Sequence, residues 1–537
     1  MSFKPNPSQQ LTMDDSALHL TERERKILEK SWAKPFAEYI FPAIDEKPFE
    51  VLYSDVERSR PNTPVNICIG ALILQGYFNY SDDEMVEALA CDVRFQYALH
   101  TTSFAEQPLS DKTLSRFRHR CYDYKEETGK DLLGDCVKSL AARIRKYMGI
   151  SGKFQRMDSM MINANIRKLT RGELLYVCIQ RTLKECTEQY GKAIPSGFER
   201  YTDANDYNRT FYYANPDESE NILQRLLADG TRLLAEYGDV GGQSAEYAKL
   251  ARAFKEQTVE EDGKPRLRTK EDGGMHSDML QSPTDPDATY REKNGKSYQG
   301  YVLNLTEEVG EGASVVTDFQ FEPNTYSDSQ FLKDHVSQTE TQEEGTVLVT
   351  DGAYCGLHNT ELCAEKNISL VTTSLTGRPT EDIMADFEFS EDGQNVLRCP
   401  AGNRPKACTY NGTTGQCKIS FAKGCCMRCP HRDMCEPKIR GKMAQLKISK
   451  AASERAKSVR QRKTEENRNL ARFRNGVETL PSVLRRIYGC DDRLPRGKTR
   501  ASFFMACKIG ALNFGKFLTK LRGSGRYAQN PVFAEKI

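Results

Sequence analysis

Three acidic residues occupy positions that the packing of an apolar core does not explain. Asp158 interrupts the predicted strand 154–162, and Asp351 directly follows the β-branched run 346–350. Glu478 stands almost alone in a basic segment. Carboxylates at the carboxyl ends of strands line the functional crevice of α/β sheets, and three of them without histidine suit a hard divalent cation such as Mg²⁺ or Mn²⁺. Taken singly, each residue has the alternative of a turn former or a solvated acid.

Cysteines form a second group that could do chemistry. Seven of the 17 lie within 37 residues, namely Cys399, Cys408, Cys417, Cys425, Cys426, Cys429 and Cys435. Four thiolates with such spacing satisfy tetrahedral Zn²⁺, and a closed site stabilises a segment too small for its own core. The preferred structural zinc ligands are Cys399, Cys426, Cys429 and Cys435, with His431 as a substitute. The alternative is reduced cysteines without metal.

Residues 1–150 are predicted to form an all-α domain of short helices joined by tight turns. Capping boxes begin helices at Thr21 and Ser81, and an apolar helix runs over 65–78. Ser110 is predicted to cap a further helix with a basic face, formed by Lys112, Arg116 and Arg120. This arrangement suits a DNA-binding or dimerisation domain related to helix-turn-helix proteins, although bundles without a ligand share it.

The pattern changes to strands after Lys153, which predicts an α/β domain over 151–537. The predicted strands cover residues 154–162, 299–305, 314–321, 346–350 and 368–373. A helical insertion at about 166–280 and a Cys-rich, zinc-binding insertion at about 386–450 interrupt this domain. A basic helical tail follows over 453–521.

Charge is distributed unevenly over a chain whose formal net charge is +2. Residues 438–537 contain 25 Lys and Arg against 7 Asp and Glu, a net charge of +18, which leaves −16 for the rest. Such asymmetry indicates a polyanionic partner, with a basic surface that binds nothing as the alternative. The longest nearly uncharged stretch, 66–78, is too short to cross a bilayer, and no signal peptide is evident. We therefore expect a cytoplasmic protein.

Two of the acidic residues stand in motifs of a known family. The run Asp158–Asn165 resembles the first-aspartate motif of the DDE transposases of bacterial insertion sequences. The run Thr350–Tyr354 resembles their second, in which Gly and Tyr follow the aspartate, and residues 282–288 look like the segment ahead of their second core strand. The resemblance covers about residues 60–520.

The third family motif reads Tyr, two residues, Arg, three residues, Glu, six residues, Lys. Arg474, Glu478 and Arg485 keep this spacing, whereas Ala471 occupies the Tyr position and arginine replaces lysine. The Cys-rich segment is similar to an insertion that one branch of the family carries between its second Asp and its Glu.

The resemblance implies an RNase H-like core with Asp158, Asp351 and Glu478 as catalytic residues. The first would lie on the central strand, the second after the fourth strand and the third on a later helix. Two Mg²⁺ ions held by them would support DNA cleavage and then strand transfer by the freed 3′-OH. The implied partners are double-stranded transposon-end and target DNA, bound by a homodimer.

The basic tail is expected to contact the DNA backbone near the active site. If one helix carries Arg474, Glu478 and Arg485, all three fall near a common face. Arg486 and Tyr354 are further DNA-contact candidates. The alternative is that the arginines pair with acidic residues of the same chain. For function, the alternatives are a catalytically silent transposase-derived DNA-binding protein and a metal-dependent nuclease without strand transfer.

Overall fold

A computed structural model of the chain describes residues 1–6, 15–54, 56, 60–104, 106–110, 112–213, 215–293, 295–342, 345–373 and 381–523. The helices are α1 (Glu22–Lys30), α2 (Ala33–Pro35), α3 (Val65–Phe78), α4 (Asp82–Cys91), α5 (Val93–Ala98), α6 (Thr113–Thr128), α7 (Leu132–Tyr147), α8 (Arg171–Tyr190), α9 (Asp206–Phe211), α10 (Ser219–Glu236), α11 (Ala245–Gln257), α12 (Asp328–Gln338), α13 (Leu357–Glu365), α14 (Lys423–Met427), α15 (Arg432–Cys435), α16 (Lys450–Arg462), α17 (Glu465–Asn475), α18 (Thr479–Arg486) and α19 (Lys498–Leu521).

The strands are β1 (Phe154–Asn163), β2 (Thr258–Glu261), β3 (Lys264–Leu267), β4 (Thr289–Lys293), β5 (Lys296–Gly310), β6 (Ala313–Pro323), β7 (Thr346–Thr350), β8 (Ile368–Thr372), β9 (Glu388–Phe389), β10 (Val396–Arg398), β11 (Ala407–Asn411), β12 (Gln416–Ala422), β13 (Lys438–Arg440) and β14 (Met443–Ile448). The protein is thus a mixed α/β structure, as the sequence predicts. Among the described residues, no helix combines the length and the apolarity that a membrane crossing demands.

The largest sheet has β1 at its centre. β5 pairs with β1 in the antiparallel direction and also pairs with β4 and β6. On the other side, β7 runs parallel to β1, and β8 runs parallel to β7. The pairing of β1 with β7 covers only residues 154–156, so the two strands separate towards their carboxyl ends.

Both faces of this sheet are covered by helices. On one face, Met160 and Ile162 of β1 join an apolar cluster with the N-terminal helices and α19. On the other face, Met157 and Met161 pack with residues of α12 and α13. The alternation of side chains along the strand therefore buries apolar residues on both sides of β1.

Helix α19 joins the first 150 residues to the sheet. It packs against α3, α7 and β6, and Asn513 donates to the carbonyl of Val316 at 2.8 Å. A Cβ added at Gly76 of α3 would lie 3.1 Å from the carbonyl oxygen of Cys507, so glycine permits the close approach of these two helices. The apolar core thus continues across the predicted boundary at residue 150.

The two insertions have apolar clusters of their own. The first consists of α8–α11 and the β2–β3 hairpin, with α8 packed on α10 and α11. The second contains a four-stranded antiparallel sheet in the order β11-β12-β14-β13, which the sequence analysis does not predict.

Local predictions in the helical region are confirmed except at one helix start. The capping boxes at Thr21 and Ser81 are present, and α3 spans the predicted residues. The cap predicted at Ser110 is wrong, because α6 begins at Thr113 with Lys112 before it. The Ser110 hydroxyl contacts the Thr113 hydroxyl at 2.9 Å instead of a backbone amide.

Candidate active site

The separation of β1 and β7 opens a crevice with one aspartate on each side. Asp158 lies two residues beyond the last β1–β7 pair, and its carboxylate accepts the Ser159 amide at 3.0 Å. Asp351 directly follows β7 and accepts the Ala353 amide at 2.8 Å. Burial raises the pKa of Asp158, the Arg474 guanidinium opposes that rise, and the nearby Asp351 carboxylate adds to it.

Glu478 reaches this crevice from a break between two helices. The prediction that Arg474, Glu478 and Arg485 share one helix face is wrong, since α17 ends at Asn475 and α18 begins only at Thr479. Arg485 consequently turns elsewhere. It pairs with Asp491 at 2.7 Å and donates to the carbonyl of Met161 at 2.6 Å.

Arg474 lies among all three carboxylates. Its Nη2 is 3.2 Å from Oδ1 of Asp158 and 4.0 Å from Oδ2 of Asp351, and its Nη1 donates to Oε1 of Glu478 at 2.8 Å. The Arg474 side chain is 11% exposed, whereas that of Glu478 is 56% exposed. Three acids from distant parts of the chain therefore converge on one positive charge.

Arg156 fixes the helix that leads to Glu478. This fully buried side chain donates to Glu307 at 2.6 Å and, through Nη1, to the carbonyl of Phe473 at 2.8 Å. Gly476 lies against it, and a Cβ there would be 1.9 Å from Nη1. Arg156 is not among the residues predicted from the sequence, although a cation two residues before Asp158 in a predicted strand is a usable signal.

Comparison with known families adds a finding that is independent of this geometry. Residues 24–120 match the family model described as Transposase domain (DUF772), and residues 398–518 match the one described as Transposase DDE domain. These two matches support a DDE transposase of an insertion sequence. The second match includes Glu478, and the two aspartates lie outside both matches. No curated protein and no solved structure matches the chain.

The transposase holds one predicted DNA-contact residue in its interior. Tyr354 is fully buried and donates its hydroxyl proton to Oδ1 of Asn304 at 2.7 Å, so the prediction that it contacts DNA is wrong. Burial also raises its pKa well above the usual range. Its ring instead belongs to the apolar cluster between the sheet and helices α12 and α13.

The other predicted DNA-contact residues have different surroundings. Arg486, Lys112 and Arg116 are exposed. Arg120 lies over the ring of Tyr53, with its guanidinium carbon 4.8 Å from the ring centroid. Lys112, just before α6, and Arg116 on α6 therefore face solvent, while Arg120 also packs on its own chain.

The four preferred cysteines lie together. Cys399, Cys426, Cys429 and Cys435 line one cavity of about 30 Å³, which His431 also borders. Burial, followed by the charges of the neighbouring thiolates, raises the pKa of Cys435 to about 11. The remaining three stand apart, because Cys408 and Cys417 lie beside each other near Gln394, and Cys425 is exposed.

Neither the three carboxylates nor the four clustered cysteines have the geometry of a complete metal site. Among the residues that the structure describes, no three His, Cys, Asp or Glu side chains are arranged to hold a metal ion as they stand. The donor chemistry nevertheless fits, because three carboxylates already enclose a cationic group and four thiols border one ion-sized space.

Proposed function

We propose that this chain cuts DNA at the ends of its mobile element and joins the freed ends to target DNA. Asp158, Asp351 and Glu478 are the proposed catalytic residues, and they would hold two divalent ions, Mg²⁺ or Mn²⁺. The observation that carries this proposal is the convergence of the three acids on the single guanidinium of Arg474. The match to the transposase DDE domain supports DNA as the substrate and divalent metal as the cofactor.

The order of the sheet supports an RNase H-like catalytic core. Three antiparallel strands, β6, β5 and β1, continue into the parallel strands β7 and β8. This order puts the carboxyl ends of β1 and β7 side by side, where ligands bind in open α/β sheets. We assign residues 151–537 to this catalytic domain and residues 1–150 to DNA binding and dimerisation.

The proposed mechanism needs each acid in its ionised form. Divalent ions bound here would activate the attacking oxygen and stabilise the leaving 3′ oxygen. Asp158 is held by β1 and Asp351 by the turn after β7, so their carboxylates are positioned before the substrate arrives. Cleavage by water leaves a 3′-OH, which then attacks a phosphodiester of the target in the same crevice.

One incubation distinguishes the three candidate functions. Purified protein is mixed with a duplex that carries the ends of the element, a target plasmid and Mg²⁺. Joined products are expected for the proposed transposase. Nicked or cut duplex without joined product would indicate a nuclease, and a shifted duplex without cleavage would indicate a silent DNA-binding protein.

Arg486, an exposed arginine on α18, is predicted to contact a DNA phosphate. Arg486→Ala should weaken binding to every duplex and reduce the slope of log affinity against log salt by about 0.9, the effect of one lost phosphate contact. The control is Arg460→Ala, because Arg460 already pairs with Asp382 and Asp386. Fluorescence anisotropy over a salt series measures both variants, and equal slopes would contradict the contact.

The four clustered cysteines are proposed to bind one structural Zn²⁺. Their shared cavity of about 30 Å³ has room for one ion, and a cation there would oppose the rise in thiol pKa that burial and, after it, the neighbouring thiolates cause. The small apolar cluster of this insertion gives the metal a stabilising role.

Zinc content tests this assignment. Purified protein should contain about one Zn²⁺ per chain, and Cys426→Ser should lose it and lower the melting temperature. Cys425→Ser is the matched control, because Cys425 is the adjacent residue and is exposed. Elemental analysis that finds fully stable protein without zinc would contradict the site.

A further inference from the structure

The guanidinium of Arg474 lies where the three proposed catalytic carboxylates converge. It is within 3.2 Å of Asp158, 4.0 Å of Asp351 and 2.8 Å of Glu478. A divalent ion that used these carboxylates would need the same oxygen atoms. Two cations cannot share them at this distance without strong repulsion, so the arginine and the metal compete.

We propose that Arg474 is a resident counter-ion of the metal-free site, which divalent ions must displace from the carboxylates. The inference rests on the proposed function, because that function identifies the three acids as metal ligands. The inference goes beyond the proposed function because it assigns control of metal affinity to one arginine.

The contacts of Arg474 indicate that its side chain can be displaced. Its Nε is buried and has no hydrogen-bond partner. The side chain is therefore held by its ion pairs and by hydrogen bonds from only some of its N–H groups. Glu478, its closest acidic partner, is more than half exposed, and ion pairs to exposed groups are weak and exchangeable. The carboxylates around the guanidinium are not arranged to hold a metal ion as they stand. We therefore infer that the carboxylates rearrange when Arg474 leaves.

A displaced guanidinium next to the bound metal would face the DNA phosphates. Arginine binds phosphate oxygens through paired N–H donors, so the group that neutralises the empty site can contact the substrate once metal has entered. Metal binding and DNA binding are then coupled through one side chain. This coupling would keep the crevice free of unpaired negative charge both before and after metal binds.

The test measures metal affinity without DNA and without catalysis. Mn²⁺ binding is followed by the loss of the electron paramagnetic resonance signal of free Mn²⁺, for wild type, Arg474→Gln and Arg472→Gln. Arg472 is the control, since it lies on the same helix and is exposed. Arg474→Gln should bind Mn²⁺ about tenfold more tightly than wild type, the effect of removing one competing charge at this distance. Arg472→Gln should match wild type.

An Asp351→Asn variant separates this inference from the proposed function. Loss of Mn²⁺ binding in Asp351→Asn, with binding in wild type, would support the metal site. If in that case Arg474→Gln binds Mn²⁺ no more tightly than wild type, the inference about Arg474 is overturned and the metal site stands. If no variant binds Mn²⁺ at millimolar concentration, the metal site itself is overturned. Circular dichroism checks folding. Should Arg474→Gln not fold, Arg474→Lys replaces it with an expected gain of about threefold, because lysine lacks the planar fork, and an unchanged affinity would again overturn the inference.

Discussion

Asp158→Asn is expected to lower the rate of DNA cleavage by about a thousandfold or more, while DNA-end binding stays within about twofold. The substitution keeps the size of the side chain and removes the charge that a divalent ion needs. Asp351→Asn should behave similarly. Glu478→Gln should also lower the cleavage rate, but by a smaller factor than the two aspartate variants. The Glu478 side chain is 56% exposed, so its charge is better screened.

Cleavage and binding are measured separately for each variant. Single-turnover cleavage of a labelled end duplex gives the rate, and anisotropy of the same duplex in Ca²⁺ gives the affinity. Glu466→Gln is the control, since Glu466 is an exposed acid in the first turn of α17. A variant of any of the three acids that cuts at the wild-type rate would remove that residue from the site.

The second large effect is expected at the buried charge cluster behind the site. Arg156 and Glu307 are 1% and 0% exposed, and Lys516 also pairs with Glu307. Glu307→Gln leaves two cations without their partner in the interior, which should lower the free energy of unfolding by about 3–5 kcal/mol. Because Arg156 also holds the end of α17, the variant should lose cleavage activity at temperatures where it is still folded.

The pH dependence of this cluster has a definite sign. Burial would raise the pKa of Glu307, but Lys516 and Arg156 together lower it to about 2. A carboxylate whose pKa is lower in the folded state stabilises the protein above its unfolded value of about 4.3. That stabilisation is lost as the pH falls from there towards 2.

Urea unfolding at pH 7 and at pH 3 measures both effects. The wild type should be less stable at pH 3, and the difference between wild type and Glu307→Gln should shrink there. Glu22→Gln is the control, because Glu22 forms an exposed pair with Lys26 and should change stability by less than about 1 kcal/mol. If Glu307→Gln lowers the free energy of unfolding by no more than Glu22→Gln does, the prediction is contradicted.

Elements marked by local signals could be predicted closely from the sequence. Helix α3 and strand β7 have the predicted bounds, because turn residues flank both of them. Strand β5 extends over 296–310, well beyond the predicted 299–305, since it pairs with β4 and β6 at its two ends. Its buried Asn304, Thr306 and Glu307 interrupt the apolar pattern on which strand prediction depends.

The site was predictable as a set of residues but not as an arrangement. The spacing of Arg474, Glu478 and Arg485 suggests one helix, whereas the chain breaks between α17 and α18 at Gly476, where Arg156 leaves no room for a Cβ. That contact links residues more than three hundred positions apart, so no local pattern reveals it. The buried hydroxyl of Tyr354 likewise has its partner, Asn304, on β5, fifty positions earlier in the chain.

The position of α19 also has a consequence for the order of folding. Its residues complete the apolar core of the first 150 residues, so the N-terminal helices cannot finish packing until α19 has been synthesised. Until then the apolar residues of α3 would lack this packing partner, and exposed apolar surface makes incompletely folded chains prone to aggregation. The apolar core that α3 and α7 share with the sheet is therefore complete only in a chain that has been synthesised through α19.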